Sequence, residues 1–61
     1  MRILRRPEVI NAVGLSTATI YRMMAESKFP KPVKLGARSV GWLESDIQAW
    51  LEQRIEASNA A

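Results

Sequence analysis

The chain has 61 residues, no cysteine and no histidine, and nine Lys and Arg against six Asp and Glu, for a formal net charge of +3. That length sets one domain with a small core, which buries only about 60% of the surface its unfolded chain exposes and rarely yields more than about 3–5 kcal/mol. The composition excludes disulfides, zinc fingers and other Cys/His metal sites, no apolar run nears the roughly 20 residues of a membrane span, and none follows the basic N-terminus as a signal peptide requires, so a cytoplasmic protein without a cofactor is expected.

Ile3 and Leu4 predict a short opening strand. Pro7 suits the first position of a helix, where its missing N–H costs nothing, and Glu8 complements the positive end of the helix dipole. Val9, Ile10 and Val13 then recur at helical spacing over about two turns. Gly14 ends the helix, since glycine readily takes the left-handed conformation of a helix terminus. Leu15 follows as an apolar plug, and Ser16 is a strong N-cap residue for a second helix. That helix is expected from Thr17 to about Ser27, with Ala18, Ile20, Met23 and Met24 on its packed side and Tyr21 and Arg22 at the flank. Thr17, Thr19 and Arg22 are left for solvent or a ligand.

After Phe29, the prolines Pro30 and Pro32 forbid further helix. Val33-Lys34-Leu35 reads as a strand, Gly36-Ala37-Arg38 as a tight connection and Ser39-Val40-Gly41-Trp42 as the returning strand, which together predict a β-hairpin. A last helix starts near Glu44, with Glu44 and Asp46 at its positive end. Ile47, Trp50, Leu51 and Ile55 follow the spacing of one buried face. One domain is expected over residues 1–57, with fraying from Ala57 onward and a frayed tail at 58–61.

Charge is unevenly distributed. Up to Leu43, Arg2, Arg5, Arg6, Arg22, Lys28, Lys31, Lys34 and Arg38 stand against Glu8 and Glu26, a net +6. From Glu44 onward, Arg54 stands against Glu44, Asp46, Glu52 and Glu56, a net −3. This asymmetry favours a polyanionic partner bound by the first part and supported by the second.

The first two helices and their Gly14-Leu15-Ser16 turn match a helix-turn-helix, in which a short glycine-containing turn sets two helices at a steep angle. Val13, Leu15 and Ile20 are the residues to fix that angle, and the second helix would present its N-terminal polar residues to DNA bases. Thr17 and Thr19 suit base edges or a thymine methyl, and Arg22 suits bidentate pairing with guanine. Ser16 is both a cap and a possible phosphate contact, and the Tyr21 hydroxyl suits a phosphate oxygen. The hairpin carries Lys31, Lys34 and Arg38, which reads as a wing laid on the backbone or in the minor groove. Arg38, near the tip, is the candidate for minor-groove insertion. Phe29, Trp42 and Trp50 are more cheaply explained as core than as a base-stacking platform. Catalysis has little support, with no His, no Cys and little room for a pocket.

In this order the parts resemble the AlpA family of small prophage-associated regulators, a winged-helix group related to MerR-like domains and phage excisionases. The likeness is carried by Val13-Gly14-Leu15-Ser16, Thr19-Ile20-Tyr21-Arg22, Phe29 through Gly36, Arg38, Val40-Gly41-Trp42, Asp46-Ile47 and Trp50-Leu51. It spans about Ile3 to Ile55. One departure is Lys28, where family members often have glycine. The resemblance implies a mainly α fold with a small β-hairpin, a winged helix-turn-helix binding double-stranded DNA as a transcriptional regulator. It implies Ser16, Thr17, Thr19, Tyr21 and Arg22 as the recognition helix and Lys34, Arg38 and Ser39 as the wing. An alternative is an excisionase-like factor that bends DNA for prophage excision, and another is a module that docks a partner through its acidic last helix. An integrase, the transcription machinery and a second copy on DNA are the partners these readings imply, in a bacterial or phage-derived setting at the nucleoid.

Overall fold

The computed structural model describes residues 2–59. In chain order the elements are β1 (Ile3–Leu4), α1 (Arg6–Val13), α2 (Thr17–Ala25), β2 (Val33–Lys34), β3 (Val40–Leu43) and α3 (Glu44–Asn59). The fold is mainly helical, with a three-stranded antiparallel sheet in the order β1-β3-β2. This arrangement is compatible with a small winged-helix-like fold.

β3 organises the molecule. Ile3 pairs with Leu43 and Leu4 with Trp42 on one edge, and Val33 pairs with Gly41 and Lys34 with Val40 on the other. The Glu44 N–H donates to the Arg2 carbonyl at 2.8 Å, so the β1 pairing carries on into the first residue of α3. Gly41 sits where both neighbouring strands approach. A Cβ there would collide with the Ile3 Cγ2 methyl and lie 3.0 Å from the Leu4 carbonyl oxygen, so a glycine is what allows the strands to close. Trp42 is fully buried and its indole N–H donates to the Pro30 carbonyl at 3.0 Å, leaving no orphaned donor. Around it the core gathers Leu4, Val9, Ile20, Met23, Phe29 and Ile47, with Val13 and Leu15 half-buried against the cluster.

Local chemistry explains the helix boundaries. α1 begins at Arg6, which puts Pro7 second rather than first, still within the turn whose N–H groups lack helical partners. The Glu8 carboxylate reaches back to accept the Arg5 N–H at 3.0 Å. Gly14 has φ 72° and its N–H returns to the Ile10 carbonyl at 2.9 Å, the left-handed ending expected of glycine. Ser16 caps α2 by accepting the Thr19 N–H at 3.2 Å. α2 ends at Ala25, two residues before the expected Ser27. Ser27 N–H donates to the Met24 carbonyl and Lys28 N–H to the Met23 carbonyl, a Schellman ending that turns the chain before another helical turn forms. The left-handed residue is Ser27, at φ 59°, and not Lys28. Lys28 therefore needs none of glycine's backbone freedom.

Four further expectations are corrected. Leu35 lies outside β2 and is 45% exposed. Ser39 precedes β3, because its carbonyl accepts the N–H groups of both Leu35 (2.7 Å) and Gly36 (3.2 Å) and closes the loop before strand pairing begins. Along α3 only Ile47 is buried; Trp50 and Leu51 are half-buried and Ile55 is 58% exposed. A helix of 16 residues is about 24 Å long and outruns the small body beneath it, so its apolar stripe emerges into solvent. The helix also continues over Ala57, Ser58 and Asn59, where a frayed end was expected; Ala60 and Ala61 of that tail lie outside the described residues.

Candidate nucleic-acid interface

The rotation of α2 about its axis decides which side chains it offers. Ile20 and Met23 are buried and Met24 half-buried, so the opposite stripe, Ala18, Tyr21, Arg22 and Ala25, is exposed at i, i+3, i+4 and i+7. Ala18 thus faces out, contrary to the packed position expected for it. Thr17 and Thr19 fall on the two flanks and are half-buried. Apolar periodicity alone leaves the helix slightly misrotated, because alanine and threonine mark neither face strongly.

Ser16 and Thr19 form a closed local pair. Ser16 Oγ accepts the Thr19 N–H and donates to Thr19 Oγ1 at 2.9 Å. That arrangement fixes the Thr19 hydroxyl oxygen and leaves its own O–H as a donor. Tyr21 is 41% exposed. Its hydroxyl has no hydrogen-bond partner among the described residues, and neither has the Arg22 side chain.

The hairpin adds Lys31, Lys34 and Arg38, all exposed, while Ser39 is half-buried with its carbonyl occupied. Val33 and Leu35 on the same hairpin are exposed too. Among the described residues the ion pairs are Arg2 with Glu8 (3.4 Å) and Arg2 with Glu44 (3.2 Å). Among the described residues, Arg5, Arg6, Arg22, Lys28, Lys31, Lys34 and Arg38 have no carboxylate within ion-pair distance.

Sequence reasoning does not single out Arg5 and Arg6. Folding brings both into a groove of about 320 Å³ with Tyr21 and Arg38. The one available signal is a pair of adjacent arginines placed just before the helix-starting Pro7.

Phe29 and Trp42 are buried and cannot stack on bases. Trp50 meets Phe29 edge-on, with ring centroids 4.9 Å apart, and its indole N–H donates to the Lys28 carbonyl at 2.9 Å. These contacts bind α3 to the exit of α2. A wider groove of about 760 Å³ runs past Phe29 and Trp50 and is open to solvent. Among the described residues no cluster of acidic side chains could hold a metal ion, and no helix is long and apolar enough to cross a membrane.

The family model described as prophage CP4-57 regulatory protein (AlpA) matches residues 2–55 of the chain. The chain belongs to the AlpA family. Its match takes in every element from β1 through most of α3, so α2 and the hairpin both fall within it. The DNA-binding transcriptional activator AlpA of Escherichia coli (strain K12) is 45% identical over 60 residues, covering 88% of this chain and 86% of that protein. The uncharacterized protein ORF88 of Enterobacteria phage P4 is 46% identical over 54 residues, covering 88% of this chain; the chain spans 61% of that protein's length.

Proposed function

We propose that this AlpA-family chain is a transcriptional regulator that binds double-stranded DNA by sequence and carries out no catalysis. In this reading the fold works as a winged helix-turn-helix. α2 enters the major groove, and the β2–β3 hairpin is the wing, lying along the phosphate backbone. The observation that carries the reading is the run of unpaired cations spread over α2 and the hairpin beside an open helical stripe. Water solvates these exposed cations in the free protein, and each one that meets a DNA phosphate releases condensed counterions.

Roles follow from chemistry. Arg22 projects from the centre of the exposed stripe and suits the two acceptors on the guanine edge. The Ala18 methyl, beside it, suits a thymine methyl. Thr19 offers its oriented O–H, Thr17 lies at the helix start, and Ser16 acts chiefly as the cap that holds both. Lys31, Lys34 and Arg38 meet phosphates, with Ser39 shaping the loop that presents Arg38.

Selection of tight-binding duplexes from a random pool tests the reading. A selected duplex is expected to bind wild type with a steep salt dependence. Arg22→Ala should cost about 1–3 kcal/mol on that duplex and relax preference at the contacted base. Lys34→Ala should weaken binding to all duplexes alike and lower the salt slope by about 1. Absence of duplex binding by wild type even at low salt, where phosphate contacts are strongest, overturns the proposal.

A further inference from the structure

We propose that Arg5, Arg6, Tyr21 and Arg38 together form a seat for a single backbone phosphodiester of the bound duplex. This rests on the DNA-binding reading and extends it to a part of the molecule, the start of α1, that neither α2 nor the hairpin supplies.

The four side chains come from three separate stretches of chain and line one groove, walled by Pro7 and Val40. Three arginines line it, and among the described residues no acidic residue does. Glu8, the nearest acid in sequence, lines a different groove with Glu44 and Leu4. Its carboxylate is committed to the Arg2 guanidinium and the Arg5 backbone N–H. Among the described residues the three arginine side chains have neither an ion pair nor a hydrogen bond. Like charges gathered in this way repel one another in the free protein, and an anion in the groove relieves all of them at once. Guanidinium is the side chain best matched to phosphate, since it offers planar, fixed N–H donors. The Tyr21 hydroxyl adds a neutral donor, and the positive end of α1 lies alongside.

Tyr21 belongs to the exposed stripe of α2 as well as to this groove. A phosphate held there is therefore on the duplex that α2 faces. This assigns Arg38 to the backbone rather than to the minor groove. It also makes one phosphate the common anchor of α1, α2 and the wing.

The test uses the full chain and a selected duplex. Arg5→Gln/Arg6→Gln should lower the slope of log affinity against log salt by about 1, the share of the one phosphate the seat neutralises, and each single change by less. Arg54→Gln, on α3, should leave the slope unchanged, and circular dichroism should show all variants folded. Replacing backbone phosphates one at a time by methylphosphonate should reveal one linkage whose neutralisation weakens wild type but not the double variant. If wild type binds and the double variant keeps the full slope, or no linkage shows that dependence, the seat is refuted while the DNA-binding reading stands. If wild type binds no duplex, both fall. Inorganic phosphate that occupies the groove without weakening duplex binding, at matched ionic strength, would assign the groove to a free anion and overturn the phosphodiester.

Discussion

The two halves of the molecule use charge in opposite ways. From Arg5 to Arg38 the cations stand without carboxylate partners among the described residues. α3 is acidic, starts with Glu44 and Asp46 at its positive end, and stacks its one cation, Arg54, 5.0 Å from the Trp50 ring centroid. The acids of α3 thus serve its own positive end and, through Glu44, Arg2, while the cations from Arg5 to Arg38 are left for something else. In so small a domain the two halves remain mechanically continuous. Trp42 lies beneath both, and Lys28, on the cationic side, is held by the Trp50 indole through its carbonyl.

The strongest way to break the contrast is to remove what both halves share. Trp42→Ala should cost about 3–5 kcal/mol, equal to the whole stability expected of such a core, and circular dichroism should find the variant unfolded at room temperature. Gly41→Ala comes next. The added methyl must displace Ile3 or the Leu4 backbone, so a loss of about 1–3 kcal/mol is expected in thermal melts, with the hairpin detached from β1 while the helices keep their caps. Ser27→Gly acts at the joint between the halves. It removes a left-handed serine and should stabilise by about 0.5–1 kcal/mol, read as a higher melting temperature. The smallest effect belongs to the far end of α3, where Ile55→Ser should stay within about 0.5 kcal/mol of wild type. A loss of about 2 kcal/mol or more there would mean that Ile55 is buried against something.

What could be read from sequence was whatever is governed by near neighbours. Gly14, Ser16 and the Pro30–Pro32 pair mark element ends through their own backbone chemistry, and each mark holds to within a residue or two. Features that depend on distant parts were harder. The apolar spacing of α3 says nothing about how large a body lies beneath it, so Ile55 looked buried. The rotation of α2 depends on Met23 outweighing Ala18, which is visible only once a core exists. Ser27 gives no sign of a left-handed backbone, because serine seldom adopts one. The groove of Arg5, Arg6, Tyr21 and Arg38 unites residues separated by up to 33 positions in the chain, and no local pattern announces it.

The pairing of β1 with β3 also governs when the domain comes into being. Arg2 and Glu44, joined at the edge of that pairing, lie 42 positions apart. α1 and α2 leave the ribosome first, but Val9 and Ile20 have no Trp42 to pack against until β3 has been made. Two helices of eight and nine residues are too short to persist alone in water. The exposed stripe of α2 therefore becomes rigid in the same event that closes the sheet. A nascent chain halted before Leu43 should be fully protease-sensitive, with no partly folded fragment.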